Sequence, residues 1–431
     1  MSLETHISGS EDRLIESLHF AGQNSASYVI DRRGVSFAPQ TASDFKPGGV
    51  RLLRFSLADQ MGWLVGDTVR LVMTLHNARV PVPPVDGTPG DARLLTPLTD
   101  SPASIFRRLR LTANGSATIE DIEEYGRTHQ LFSTLLPSQR RMNDIGESWG
   151  GNAADPTLGN PAVGEPIPGQ QSRTVVVHLL SSFLSQGKNI PLNAIPLVLE
   201  LELGEMNDAF MGEENDWYIT RPRLIADVLT LDQALQNSYS KHLLDGKLLP
   251  FSMHGLYSIR ATVPAGSNLY SLPIVRGFTR LSTVYVSFYI GSTGKWTRTF
   301  TSPMLRSDLA SPNTNQFDDT EWWLTIGSER FPEFNVDSHQ ESFHRLRVAQ
   351  LMHAGTDSCS ITPLQYQAGS HILGMNLEKC PGKAGHTGRN TRGGSQLSLV
   401  FKNLHDITRI HVVLHYEQVV NVSKAGVEVL D

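Results

Sequence analysis

The chain has 431 residues, a formal net charge of −6, 39% hydrophobic and 19% charged residues, with 36 glycines and 24 prolines. That balance excludes a collagen-like chain, a long coiled coil and a low-hydrophobicity disordered polymer, and the length fits two domains of roughly 200 residues each. The acidic balance argues against a sequence-specific nucleic-acid partner held by a global positive field. Cys359 and Cys380 are the two cysteines, too few for a disulfide framework or a Cys-x-x-Cys element, so the sequence is read as belonging to a reducing compartment. No apolar run reaches the roughly 18 residues of a membrane span, and the first residues lack the basic flank and apolar run of a secretion signal.

Residues 1–45 carry Gly9, Gly22, Gly34, Pro39 and Pro47 just beyond, with only short apolar pieces such as Tyr28-Val29-Ile30. This segment is expected to be an N-terminal arm. From Val50 the pattern changes to strands: Val50–Leu57, then Thr68–Leu75, where apolar positions 69, 71, 73 and 75 alternate with polar neighbours. Phe106–Leu111, Arg173–Leu180, Pro196–Leu203 and Arg223–Leu231 repeat the signature, most plainly in Leu199, Leu201 and Leu203 against Glu200 and Glu202. Residues 81–102 and 143–171 are rich in Gly, Pro, Asp and Asn and read as long surface loops. Two helices are predicted. One spans Ile119–Leu136, on the spacing of Ile122, Tyr125, His129, Phe132 and Leu136 before Pro137; the other is capped by Asp232, carries Leu235, Tyr239 and Leu243, and stops at Gly246.

The second half repeats the plan, with strands at Tyr257–Val263, Leu269–Val275, Thr283–Ile290, Ser395–Phe401 and Ile410–Tyr416, and with long loops over 291–320 and 376–394. The fold class expected is all-β: two tandem jelly-roll β-sandwiches with long inserted loops and a few short helices. The expected boundaries are an arm over 1–45, a first roll over 46–225, a second over 226–416 and a C-terminal tail over 417–431, with Trp217–Pro222 as the hinge.

Chemistry is sparse. The Gly-Lys pairs at 187, 246, 294 and 382 lack a following Ser or Thr, and no Gly-x-Ser-x-Gly occurs. His339/Glu341 and His415/Glu417 are His-x-acid pairs of the kind that ligate a metal on a jelly roll, with His411 one step further along the same face. With 15 histidines and 43 acidic residues, however, the chain generates about as many such pairs by chance. Asp318, Asp319 and Glu321 beside Trp322 and Trp323 form the alternative site, an acidic-aromatic platform for a carbohydrate, weighed against tryptophans that simply enter a core. Arg107, Arg108 and Arg110, with Arg140 and Arg141, are the densest basic spots and are read as a solvated strand edge or subunit contact. No catalytic residue, cofactor or metal ligand is expected.

Two stretches carry a resemblance. Leu224–Pro250, followed by Ile274–Phe288, resembles the start of the second roll in double jelly-roll major capsid proteins, nearest those of polinton-like and adintovirus-like DNA viruses. Leu179–Leu203, with its Gly187-Lys188-x-x-Pro191-Leu192 turn, is similar to the closing strands of that family's first roll. The resemblance implies a non-enzymatic virion protein, assembled inside the host cell as homotrimers whose six rolls make a pseudo-hexagonal, self-assembling tile of an icosahedral shell. It further implies loops forming outer towers and contacts with penton and minor capsid proteins. The arm and the tail are the expected contacts with neighbouring capsomers, the tail by adding its β-branched residues to a neighbour's sheet edge.

Overall fold

The computed structural model describes residues 28–431 apart from 60–61, 85–89, 100, 150–164, 213, 291–295, 298, 305–319, 351–360, 381–386 and 405. The first half contains strands β1 (Val29–Phe37), β2 (Asp44–Phe45), β3 (Leu52–Leu57), β4 (Gly62–Asn77), β5 (Phe106–Ala113), β6 (Ala117–Glu123), β7 (Ser172–His178), β8 (Ile190–Pro191), β9 (Leu197–Leu203) and β10 (Trp217–Leu231). The second contains β11 (Leu249–Thr262), β12 (Leu269–Ile274), β13 (Leu281–Tyr289), β14 (Glu321–Ile326), β15 (Glu329–Val336), β16 (Ile372–Asn376), β17 (Leu397–Lys402), β18 (Arg409–Ser423) and β19 (Gly426–Leu430). Helices α1 (Tyr125–Leu135), α2 (Ser138–Trp149), α3 (Gln233–Leu244), α4 (His339–Ala349) and α5 (Pro363–Ala368) lie in the connections.

Strand order identifies the architecture. In the first half β1-β10-β4-β7 form one sheet and β3-β9-β5-β6 the other; in the second, β11-β18-β13-β16 face β12-β17-β14-β15. With β2, β8 and β19 set aside as short additions, both halves read first-eighth-third-sixth against second-seventh-fourth-fifth. That is the jelly-roll order, twice. All the strand pairs are antiparallel, and the alternation read from the sequence is the pleat: along β9, Leu197, Leu199, Leu201 and Leu203 are buried while Val198, Glu200 and Glu202 are half-exposed.

The expected boundaries move. Strand β1 pairs with β10 from Val29↔Leu231 to Phe37↔Leu224, so residues 29–37 of the expected arm are the first strand of the first roll. Its pattern hid it, because β1 is an edge strand whose first six residues are exposed and whose Gly34 breaks any alternation. Residues 1–27 lie outside the described residues. Trp217–Pro222 is no hinge but the opening of β10, which runs through residue 225 to Leu231 and pairs with β4 along its length. At the other end, β18 continues past Tyr416 to Ser423, and β19 folds back on it from Ser423↔Gly426 to Val419↔Leu430. The tail is therefore a hairpin of the second roll: Val427 and Val429 pack on the chain's own core, and the Asp431 carboxylate accepts hydrogen bonds from Arg276 (2.9 Å) and Arg392 (2.5 Å).

Helix predictions divide likewise. Around α3, Asp232 caps by accepting from the Ala234 backbone N–H at 3.1 Å, and Gly246 takes the left-handed φ of +79° that ends the segment. The helix expected from Ile119 starts later. Residues 117–123 pair with β5 as β6, and the chain turns at Glu124, whose φ is +47°, before α1 begins. Ile119 and Ile122 fit either period over so short a run, and the strand wins because it completes a sheet. Helix α2 occupies the start of the loop expected from residue 143. Helix α4 begins where Ser338 Oγ accepts from the Glu341 N–H, a capping pattern legible in Ser338-x-x-Glu341.

One sheet explains how two rolls become one body. Every residue of β13 is buried, because one face of its sheet packs on β14 and β17 while the other packs on the first roll. Val284, Val286 and Phe288 enter the second roll's own core with Trp322, Leu324 and Leu399. On the other face Tyr285, Tyr289 and Val413 share a core with Leu131, Leu199 and other residues of the first roll. Burial on both faces is why Thr283–Tyr289 reads as a near-continuous run instead of an alternating one.

Candidate functional site

The residues picked out for chemistry do not converge. Asp318 and Asp319 lie outside the described residues. Trp322, on β14, is 2% exposed, and its indole N–H donates to Ser342 Oγ at 3.1 Å, so it belongs to the second core and offers no platform to a sugar. Trp323 is half-buried on the opposite face, with the Arg330 guanidinium 4.2 Å and the Lys402 ammonium 5.7 Å from its ring centre. Glu321 is held by Lys402 at 2.7 Å and by Asn335. Two cations and an amide thus occupy the acidic-aromatic group.

The histidine pairs separate as well. His415 is half-buried and packs 4.7 Å from the His254 ring, whereas Glu417 meets Arg280 at 3.4 Å. His339, the first residue of α4, is buried and shares a hydrogen bond with Ser302 Oγ at 3.2 Å, while Glu341 points to Arg345 at 3.0 Å. His411 sits between the rolls, 3.4 Å from Thr128 Oγ1. Burial depresses His415 and His411 to about 3 and His339 to about 4, with His254 adding to the first and Arg127 and Arg260 to the second. Among the described residues, no three His, Cys, Asp or Glu side chains are grouped as a metal site.

The basic spots are mostly partnered. Arg108 forms a fork with Asp121, Nε to Oδ1 at 2.7 Å and Nη2 to Oδ2 at 2.6 Å, across the β5–β6 pair, and this ion pair raises its pKa further. Arg110 donates to Thr118 Oγ1 at 3.2 Å. Arg107 remains exposed on β5, and Arg140 is exposed on α2.

What the chain does assemble is the junction between its halves. The Arg127 guanidinium is buried there: Nη2 donates to the Asp208 carbonyl at 2.7 Å, Nη1 to Gln130 at 3.0 Å, and its plane lies 5.0 Å from the Trp296 ring centre. Arg409 approaches the same ring at 5.3 Å. Arg260 pairs with Glu124 at 3.0 Å, Ser258 Oγ donates to the Glu123 carbonyl, and Gln418 Nε2 donates to the Ile119 carbonyl at 3.1 Å. Phe132 meets Tyr285, and Phe183 meets Phe251, with ring centres 5.6 Å apart in each pair. Beside this junction Glu120, 4% exposed, accepts from Ser181 Oγ and from the backbone N–H groups of Ser182 (2.7 Å) and Phe183 (3.2 Å). Burial raises its pKa against those three donors. No sequence signal marked Glu120 or Arg127 as junction residues, because Ser181, Asp208 and Trp296, which they meet, are distant in the chain.

Junction and strand order together make one body of two jelly rolls that share a core. The fold is the double jelly roll of viral major capsid proteins. The Faustovirus major capsid protein superposes with a TM-score of 0.62 at 8% identity, covering 97% of this chain and 94% of its own. PBCV-1 VP54, as fitted into a cryo-EM reconstruction of the virophage Sputnik, gives 0.59 at 10% identity, covering 96% and 99%. The Sputnik virophage structure itself gives 0.54 at 10% identity, covering 98% and 93%. No family model matches the chain, and no curated protein is similar to it in sequence. The double jelly roll that the two sequence stretches resembled is thus present over nearly the whole chain.

Proposed function

We propose that this double jelly-roll chain is the major capsid protein of an icosahedral DNA virus, residing in the virion and acting by self-assembly without catalysis. The observation that carries this reading is the fusion of two rolls of identical strand order through a shared core, over a length matched almost end to end by viral capsid proteins. A fused pair of rolls is a building block with two-thirds of the work of a hexagonal tile still to come from symmetry: three copies related by a threefold axis present six rolls. Exposed apolar side chains supply surface for that contact. Ile30 on the edge strand β1, Leu269 on the edge strand β12 and Val275 just beyond it are 66%, 62% and 90% exposed.

Residues 1–27 are the proposed contact with neighbouring capsomers. The tail is not, since it is committed to its own roll. Penton and minor capsid proteins are further proposed partners.

The test is the native mass of the purified protein, with negative-stain imaging of the same sample. Three chains of 47.5 kDa give about 143 kDa. A trimer with a hexagonal outline, or closed shells, is expected; a monomer across low and high salt overturns the proposal. Deletion of residues 1–27 is expected to spare the trimer and impair shells, whereas deletion through residue 45 removes β1 and unfolds the first roll.

A further inference from the structure

Helices α1 and α2 and the end of β7 enclose a cavity of about 120 Å³ that serves nothing described so far. Phe132, Leu136, Ile145 and Leu180 make its apolar wall. His178, His129, Arg140, Asp144 and three serine side chains also line it, with His178 beside the apolar wall at Leu180. An apolar cavity of about 150 Å³ accepts a benzene ring, so a slot of this size, open on one side, admits a single ring whose substituent faces the polar residues.

The polar residues choose the substituent. Arg140 and Asp144 are one turn apart on α2, so their charges offset and the slot presents no net field to an ion. Asp144 is itself partly desolvated, and burial raises its pKa, so a second carboxylate beside it is disfavoured. His178 has no hydrogen-bond partner for its ring among the described residues. Burial, reinforced by Arg70, His129 and Arg140, depresses it to about 4, leaving a neutral imidazole that can accept from or donate to a hydroxyl.

We propose that this slot binds a small monocyclic phenol, ring against Phe132, Leu136, Ile145 and Leu180 and hydroxyl at His178. This site is independent of the capsid reading. It borders the junction, because the Phe132 ring that walls the slot lies edge-on to Tyr285 of the second roll.

The experiment is ligand-observed NMR of the full chain with phenol, benzene and benzoate in parallel, with thermal melting of the same samples. A ligand of seven heavy atoms in such a slot is expected to bind with Kd of about 0.1–1 mM. Phenol should bind about tenfold more tightly than benzoate and raise the melting midpoint. Leu136→Trp, at the half-buried rim, should weaken phenol at least about tenfold by filling the slot. His178→Phe should bring phenol down to the affinity of benzene by removing the hydroxyl's partner. Absence of phenol binding to the wild-type chain at about 10 mM overturns the proposal. So does phenol binding that a folded Leu136→Trp variant leaves unchanged, or benzoate binding as tightly as phenol.

Discussion

Acid should weaken this fold well before carboxylates protonate, and the reason is three histidines, two of them wholly buried and one half-buried. His371 and His411 are enclosed by protein and His415 is half-buried on β18, and desolvation holds all three neutral, with His411 and His415 at about 3 and His371 well below its ordinary 6.5. His339 beside His371, Arg127 and Arg260 beside His411, and His254 beside His415 add repulsion to any proton taken up. In the unfolded chain each imidazole titrates near 6.5. The folded pKa lies below the unfolded one, so their contribution is intact above pH 6.5 and is lost as pH falls toward the folded values. Between pH 7 and pH 5 an unfolded imidazole goes from about one-quarter to nearly fully protonated while the folded one stays neutral, a loss of about 2 kcal/mol for each of the two wholly buried rings and less for His415, about 4–6 kcal/mol in all. Glu120 works in the opposite sense and subtracts from that figure, because its raised pKa favours the folded state as acid protonates it. Against a total stability of about 5–15 kcal/mol, the loss is large enough to decide whether the chain stays folded at pH 5. Equilibrium urea unfolding at half-unit steps from pH 7 to pH 5 measures it. His411→Gln keeps a polar side chain near Thr128 but removes one titrating group, and should flatten the slope near pH 5 by about 1.4 kcal/mol per pH unit. A wild-type stability that is flat from pH 7 to pH 5, or equal slopes in the two proteins, would refute the argument.

Three further perturbations probe the frame itself. Glu120→Ala leaves the donors at Ser181, Ser182 and Phe183 without their acceptor and is expected to cost about 3 kcal/mol in urea unfolding at pH 7; Glu120→Gln, which keeps one acceptor oxygen, should cost markedly less. Gly66→Ala sets a Cβ 2.0 Å from the Leu184 carbonyl oxygen, a backbone atom that cannot step aside, so a loss of about 3 kcal/mol or more and a fall in soluble yield are expected. Deleting residues 424–431 strips β19 from β18, uncovers the core under Val427 and Val429 and leaves Arg276 and Arg392 without Asp431. The melting midpoint of the isolated chain should fall by about 5 °C or more, whereas a tail that served only a neighbour would leave it unchanged.

Local pattern was enough for the strands that face a core on one side and water on the other. In β4 and β9 the period of two is written directly in the residues, and Asp232 and Gly246 mark both ends of α3 for the same local reason. Those segments, with the long Gly/Pro connections, were sufficient for an all-β reading in two similar halves. The tertiary structure decided what period cannot express. An edge strand such as β1 buries too little to alternate, β13 buries too much, and β6 is too short to separate Ile119 and Ile122 into one period or the other. The candidate sites dissolved for a related reason: spacing can put His415 beside Glu417, but only packing determines that one ring lies against His254 while the carboxylate reaches Arg280. Likewise the junction that makes one block of two rolls rests on Arg127 with Trp296, Gln418 with the Ile119 carbonyl, and Phe132 with Tyr285. Those partners lie far apart in the chain, so no local periodicity encodes them. Sequence by itself determined that there are two β-sandwiches; their docking face, the true extent of each roll and the slot beside α2 exist only once distant segments are packed together.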